Sequence, residues 1–134
     1  MRAMCRAMQK ASLRPDQIDY INAHATSTPI GDAVEIRAIR RLFKTRAERV
    51  SVNATKSMVG HTLGAAGAIG AIVCALALDT GLVHPTVNYE DPDPDCALPG
   101  IARETRKRPL KVALLNAFGF GSNNAAVVLK KFVR

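Results

Sequence analysis

Two short apolar runs in this chain each lead into a loop of small residues that carries a histidine, and a helical segment follows each loop. His24 lies in Asn22-Ala-His-Ala-Thr-Ser-Thr-Pro-Ile-Gly-Asp32, and His61 lies in Thr55-Lys-Ser-Met-Val-Gly-His-Thr-Leu-Gly-Ala-Ala-Gly67. In open α/β sheets, functional groups lie at the carboxyl ends of the strands. The pattern therefore predicts an α/β fold in which two loops each contribute one imidazole to a shared site.

The hydrophobic periodicity predicts seven elements in the order α-β-α-β-α-β-β. Residues 84–109 are rich in Pro and Asp, so we expect a loop with little regular structure there. Alternating strands and helices favour a parallel sheet with helices on its faces, and the last two strands favour an antiparallel edge, which gives a mixed sheet. The expected helices are 2–12, 31–43 and 62–79, the last ending at Gly81, and the expected strands are 18–23, 49–53, 112–116 and 125–132.

The chain of 134 residues has room for a single domain, 1–134. Because its first helix begins without a preceding cap, we expect that domain to be incomplete at its N-terminus. The stretch 62–78 carries no charge, which allows either a transmembrane segment or a helix buried in the core. Most of its residues are Gly and Ala, so it is short and weakly hydrophobic for a membrane, and we favour the buried helix and no membrane association.

Three cysteines, Cys5, Cys74 and Cys96, form neither an even set nor a metal-binding spacing. This usage, together with an amino terminus that lacks the apolar region of a signal peptide, predicts a reducing, cytoplasmic location. The net charge is +8, but the chain has few aromatic residues (4%). We therefore expect no nucleic-acid partner of the base-stacking kind. The basic runs are either solvated faces or a surface for an acidic protein.

Two acidic residues of the 31–43 helix occupy unusual positions. Glu35 falls in the middle of its apolar face, and Asp32 lies at the edge of that face. A carboxylate aimed at a core costs several kcal/mol unless it is paired. Lys56 is the obvious cation nearby, so we predict an Asp32/Glu35/Lys56 cluster beneath the two histidine loops. The alternative is that Glu35 reaches the rim and Lys56 is free in solvent.

The remaining polar loops allow several interpretations. His61 precedes the expected 62–79 helix, whose partial positive charge favours a neutral imidazole that can polarise a carbonyl oxygen. Phe118-Gly-Phe-Gly-Ser122 ends a strand, and its backbone N–H groups could hold an oxyanion or a phosphate. It is a weak match to a nucleotide loop because no helix follows. His84, in Val-His-Pro-Thr, is expected to be structural.

Together these segments resemble the carboxyl-terminal part of a β-ketoacyl-acyl carrier protein synthase of the KAS I/II type, a condensing enzyme of the thiolase fold. The two histidine segments and Asn-Ala-Phe-Gly-Phe-Gly at 116–121 carry the resemblance. It implies a thiolase-like C-terminal half and a Claisen condensation of an acyl chain with malonyl-acyl carrier protein, with decarboxylation, in fatty acid or polyketide synthesis. It also implies acyl carrier protein as partner and a substrate carried on phosphopantetheine, and we expect this chain to bind no further cofactor and no metal.

The resemblance also implies roles for individual residues. His24 and His61 resemble the pair that binds the malonyl thioester carbonyl and stabilises the enolate. Lys56 resembles the lysine that organises the site, with Asp32 and Glu35 as its acidic neighbours.

A second group of residues resembles the substrate channel of the family. Phe120 resembles a phenylalanine that gates the acyl channel and contributes its N–H to the oxyanion hole. Thr26, Thr28 and Phe118 resemble residues that line the pantetheine and malonyl site.

Two departures from the family pattern matter. The family's nucleophilic cysteine lies in the amino-terminal half, and we assign that role to none of the three cysteines here. The chain is therefore expected to be inactive alone and to need a complementary N-terminal half or a dimer partner. Gly70 stands where the family usually has a glutamate that supports the second histidine region and a structural cation.

Two alternative functions compete with this interpretation. The first is a non-catalytic partner that resembles a chain-length factor of a ketosynthase heterodimer, for which two retained histidines have little use. The second is a thiolase that acts on coenzyme A thioesters, against which the two histidine motifs and Lys56 argue.

Overall fold

The computed structural model describes residues 1–133, and the elements follow the predicted order with additions. Helix α2 matches its expected bounds, while β1 and β2 are shorter and β5 is longer than expected. The elements are α1 (Arg2–Lys10), β1 (Tyr20–Asn22), α2 (Gly31–Phe43), β2 (Ser51–Asn53), α3 (Lys56–Val59), α4 (Ala66–Thr80), β3 (Leu82–Val83), β4 (Arg106–Lys107), β5 (Val112–Phe118) and β6 (Asn124–Lys130).

The main sheet has the strand order β2-β1-β5-β6. β1 runs parallel to both of its neighbours, with Ile21 opposite Val52 on one side and Leu114 on the other. β5 and β6 form an antiparallel hairpin. The predicted mixed sheet, parallel inside with an antiparallel edge, is therefore confirmed.

Helices cover both faces of this sheet because the central strands are apolar on both sides. Leu114 packs with Ile36, Ile39 and other residues of the α1 and α2 side. Its neighbour Leu115 points the other way and packs with Cys74 and residues of α4. The site loops leave the sheet between these two layers, at the carboxyl ends of β1 and β2.

The prediction of a buried helix over 62–79 is wrong in two respects. The helix begins at Ala66, and Leu63–Ala65 form a 3₁₀ turn before it. Only one face of α4 is buried, since the sheet covers one side, and Ile72 and Leu76 are 60% and 57% exposed. The expected end at Gly81 is confirmed, because that residue adopts φ +74° and its N–H donates to the carbonyl of Ala77.

The stretch Leu63–Thr80 is long and apolar enough to cross a membrane by length and composition. In the fold it packs against β5 through Gly70, Cys74, Ala77 and Leu78. That packing is typical of a core helix of a sheet protein.

The segment 84–109 contains more regular structure than expected. β3 and β4 pair antiparallel across it, and Ile101 forms a parallel bridge with Val52 beside β2. Gly100 allows this approach, because a Cβ at that position would collide with the carbonyl oxygen of Val50. The segment thus extends the sheet edge next to the site, although Pro and Asp dominate its sequence.

Candidate active site

The structure brings the two histidine rings together. His24 follows β1, and His61 lies in the loop between α3 and α4. Their ring centroids are 5.9 Å apart and the rings are almost perpendicular, at 86°. The two loops therefore contribute to one site, as their equivalent positions after strands predict.

Backbone N–H groups define which nitrogen of each ring carries hydrogen. The N–H of Phe118 donates to Nδ1 of His24 at 3.2 Å, and the N–H of Leu63 donates to Nδ1 of His61 at 3.1 Å. A neutral imidazole has one donor and one acceptor nitrogen. Because Nδ1 accepts in both rings, both carry their hydrogen on Nε2, and each ring offers one N–H donor to a ligand.

The environment of His24 favours its neutral form. Burial lowers the pKa of His24 to about 4, and the neighbouring Lys56 ammonium acts in the same direction. The helix start expected at residue 62 does not act on His61, because α4 begins at Ala66 and the effect of a helix end is confined to the first turn.

Glu35 organises the loop after β1 from inside the core. Its side chain is 4% exposed, and its carboxylate accepts the N–H groups of His24 at 3.0 Å and Ala25 at 2.9 Å. A third donor is the amide of Asn116 on β5, at 2.8 Å. Burial raises the pKa of Glu35, and these three donors counteract that rise. Three hydrogen bonds thus compensate the cost of burying a carboxylate.

Lys56 holds the same loop from the other side. Its ammonium donates to the carbonyl oxygen of His24. Burial lowers the pKa of Lys56, while the nearby carboxylates of Glu35 and Asp32 raise it. Among the described residues no ion pair joins these three groups.

The predicted charge cluster is therefore correct in location and wrong in its contacts. The carboxylate of Glu35 pairs with backbone amides because the loop after β1 turns those amides toward α2. The alternative, an exposed Glu35 and a free Lys56, is also wrong, because Glu35 is buried and Lys56 is half-buried.

A cavity of about 460 Å³ opens beside the histidine pair. It is lined by parts of α2, α3 and the segment after β3. Burial raises the pKa of Asp32, one of its two acidic lining residues, and backbone N–H groups of the 26–28 loop counteract that rise. The polar residues along its wall include Thr26, Asp32, Lys56, His61 and Tyr89.

The other predicted channel residues take different positions. The ring of Phe118 lies 5.2 Å from the ring of His24. Thr26 lines the cavity, but the hydroxyl of Thr28 accepts the N–H of Gly31, the first residue of α2, which would otherwise lack a partner within the helix. Phe120 stands at the hairpin turn with its ring 97% exposed. Its role as a gate stays a prediction.

A buried polar network lies under α3, and the sequence motifs indicate no role for most of its members. Thr55, directly before Lys56, contacts Nε2 of His84 at 3.0 Å and accepts the amide of Asn22 at 2.6 Å. The phenol of Tyr20 donates to Asn53, whose amide donates to the carbonyl of His84. His84 therefore has the structural role expected of it. The polar residues inside the apolar runs 20–22 and 51–53 are the sequence feature from which this network could have been predicted.

The three cysteines are free in the part of the chain described. Cys74 is fully buried, and burial raises its pKa to about 12. Cys96 lines the cavity, and burial raises its pKa as well. Neither thiol is thus activated as a thiolate at neutral pH.

Comparisons with known proteins show what the chain is similar to. Residues 1–90 match the family described as "Beta-ketoacyl synthase, C-terminal domain". The chain is 44% identical to the chloroplastic 3-oxoacyl-[acyl-carrier-protein] synthase I of Hordeum vulgare, covering 94% of this chain and 27% of that protein. It is also 44% identical to 3-oxoacyl-[acyl-carrier-protein] synthase 2 of Staphylococcus aureus, with 98% and 32% covered.

Solved structures give the same result. A β-ketoacyl synthase from Burkholderia phymatum superposes with a TM-score of 0.92 at 38% identity, covering 98% of this chain and 32% of that one. The ishigamide ketosynthase/chain length factor gives a TM-score of 0.92 at 34% identity, with the same coverage. A type II PKS acyl-carrier protein in complex with its ketosynthase gives 0.93 at 36%, again with 98% and 32% covered. The chain spans about a third of the length of these relatives.

Proposed function

Because the chain belongs to the β-ketoacyl synthase family, we propose that it carries the decarboxylation groups of a β-ketoacyl-acyl carrier protein synthase of fatty acid biosynthesis. The family and the thiolase-like α/β fold, both predicted from three motifs, are confirmed. The observation that carries the functional proposal is the pair of Nε2–H donors on rings 5.9 Å apart. Since the chain spans about a third of its relatives, the activity belongs to a larger assembly.

The proposed step is the decarboxylation of a malonyl thioester. The bond between the carboxylate carbon and the α-carbon breaks, CO₂ leaves, and the electron pair forms an enolate whose negative charge lies on the thioester oxygen. His24 and His61 donate their Nε2–H groups to that oxygen. Preorganised donors of this kind stabilise developing charge without a proton transfer. The low pKa of His24 suits this role, because the ring stays neutral throughout.

Lys56 and Glu35 act in this proposal as positioning residues. Lys56 binds the carbonyl of His24, and Glu35 binds its N–H. Two opposite charges therefore hold the backbone of a single residue, and with it the direction of the ring. We also propose that Thr26 and Phe118 contact the pantetheine and malonyl groups and that Phe120 gates the acyl channel.

The partner that we propose is the N-terminal part of a synthase, which would supply the nucleophilic cysteine. Two observations support it: the chain spans about a third of its relatives, and the outer face of α4 exposes Ile72 and Leu76. Apolar side chains in such a row favour burial under another protein surface. Acyl carrier protein as the second partner is supported by the relative solved in complex with one. A cytoplasmic location is proposed on the three free cysteines.

The competing function is a chain-length-factor-like partner without catalysis. The similarity to the ishigamide ketosynthase/chain length factor favours it. Against it stand two rings whose Nδ1 atoms are both engaged and whose Nε2–H groups have no acceptor among residues 1–133. A purely structural partner needs no such arrangement.

The test is release of CO₂ from malonyl-acyl carrier protein by the polypeptide that carries this chain, assembled with the N-terminal part of a synthase. His24→Ala and His61→Ala are each expected to lower the rate by about 10²–10³-fold, the range for loss of one oxyanion donor. Lys107→Met, at an exposed position on β4, is the control and should leave the rate unchanged. Equal rates in both histidine variants and the parent would favour the chain-length-factor function.

A further inference from the structure

Gly70 of α4 lies directly against β5. A Cβ at this position would be 2.6 Å from Cδ1 of Leu115 and 3.3 Å from Oδ1 of Asn22. Leu115 is buried, with 4% of its side chain exposed, so it has little room to move aside. The resemblance to the family implies a glutamate and a structural cation here. In this chain the side chain of Leu115 occupies the space that a larger residue at 70 would need.

The hollow next to Gly70 does not suit a cation. Its lining among the described residues contains no carboxylate, and Lys56, which carries a positive charge, is part of its wall. Its side-chain oxygens come from neutral groups: Asn22, Thr55, Thr62 and Asn116. Hard cations such as Ca²⁺ take about six to eight oxygen ligands, with carboxylates prominent among them. A positively charged neighbour and neutral ligands therefore disfavour a bound cation.

The size and polarity of the hollow suit a water molecule instead. Its volume is about 20 Å³, close to the roughly 10–15 Å³ that a single water requires. Two residues that line it carry buried oxygens, Oδ1 of Asn116 and Oγ1 of Thr62, without a hydrogen-bond partner in residues 1–133. A water can donate to both, and buried polar atoms of this kind are normally satisfied.

We propose that this chain has exchanged the structural cation of its family for close packing of Gly70 on Leu115 and one buried water between Asn116 and Thr62. The exchange has a consequence for the site, because the amide of Asn116 donates to Glu35. With Nδ2 directed at Glu35, the Oδ1 atom points away from that carboxylate, and Asn116 is one of the residues that line the hollow. The water thus fixes the amide that holds the carboxylate beneath His24.

The first test is cation dependence of folding in the polypeptide that carries this chain. Its melting temperature should be the same in potassium, sodium, ammonium, calcium and tetramethylammonium chloride at equal ionic strength. A ligand that binds only the folded state raises the melting temperature as its concentration rises. A rise specific to one small cation would overturn the proposal. The measurement does not depend on condensing activity, so it is independent of the proposed function.

The second test locates the bound species directly in crystals soaked in rubidium chloride. We expect an ordered water between Asn116 Oδ1 and Thr62 Oγ1 and no anomalous peak there. A rubidium peak at that point overturns the exchange. A high-resolution map without a water at that point overturns the assignment of the water.

The third test restores the family pattern. Gly70→Glu alone should lower the melting temperature in every salt, because its Cβ collides with Leu115. Gly70→Glu with Leu115→Ala gives the carboxylate room, and its melting temperature should become dependent on the cation. Leu115→Ala alone is the matched control, with space but no carboxylate, and should stay independent of the cation. If the double variant folds and its melting temperature stays independent of the cation, the proposal that Gly70 and Leu115 exclude the cation is contradicted.

Discussion

The two histidine rings adopt the same tautomer, but the hydrogen bonds that impose it come from different parts of the chain. His24 receives its Nδ1 hydrogen bond from Phe118, on a strand far away in the sequence, and its backbone is held by Glu35 and Lys56. His61 receives the equivalent bond from Leu63, two residues along its own loop, and the residue is exposed. The first loop is organised by the tertiary structure and the second by local backbone conformation.

This difference indicates which loop depends on a partner. The start of the His24 loop is held within this chain by Glu35 of α2, Lys56 of α3 and Phe118 of β5. The His61 loop leads into α4, whose outer face is exposed. We therefore expect the N-terminal part of a synthase to stiffen the His61 loop more than the His24 loop when it binds.

The largest effect is expected in the titration of His24. His24 should change protonation at a pKa of about 4, since burial opposes its charge, whereas an unperturbed histidine titrates near about 6.5. Because the pKa is lower in the folded state, its contribution to stability is complete above pH 6.5 and is lost as the pH falls toward 4.

Two-dimensional ¹⁵N NMR of the imidazoles measures this titration for each ring and reads the tautomer as well. Melting curves are less suited, because the raised pKa values of Glu35 and Asp32 act on stability with the opposite sign. A midpoint near 6.5 for His24, or hydrogen on its Nδ1, would contradict the role given to the N–H of Phe118.

Lys56→Met removes a charged hydrogen bond from the His24 loop and none from the His61 loop. Hydrogen bonds to charged groups contribute about 1.5–3 kcal/mol, so decarboxylation by the assembled enzyme should fall by about 10–100-fold. The pKa of His24 should rise in the same variant, because Lys56 lowers it in the parent. An unchanged pKa of His24 would show that the two groups are not coupled.

Glu35→Gln should destabilise the fold by about 1–3 kcal/mol, the usual cost of leaving buried donors without an acceptor. The glutamine amide would face N–H donors that now share two carboxylate oxygens. Urea unfolding measures the loss. Glu104→Gln, at an exposed position, is the matched control and should unfold like the parent. An equal loss of unfolding free energy in both variants would show that Glu35 does not stabilise the loop after β1.

Leu63→Gly is expected to have the smallest effect. Leu63 has φ +49°, a conformation that glycine adopts without strain, and its side chain is 72% exposed. Relief of strain and the greater backbone entropy of glycine should nearly cancel, so the free energy of unfolding should change by less than about 0.5 kcal/mol. Urea unfolding also measures this variant. A loss above about 1 kcal/mol would mean that the side chain, and not only the N–H, organises the His61 loop.

Local sequence was sufficient for some features. The α2 bounds follow from its amphipathic pattern, and the end of α4 follows from Gly81. It was insufficient for β4 and the Ile101 bridge, which form because strands supplied by other parts of the chain lie beside them. Pro and Asp in that segment predict a loop, and only packing against β2 and β3 overrides that preference.

The contacts of the site divide in the same way. The motifs determined the family and the presence of two histidines after neighbouring strands, and the hydrophobic periodicity determined the mixed sheet. The tertiary structure decided that Glu35 pairs with backbone amides and Asn116 in place of Lys56, and that Phe118 sets the tautomer of His24. Motifs and periodicity are properties of neighbouring residues, whereas a hydrogen bond needs the position of a donor and an acceptor that only the folded chain brings together.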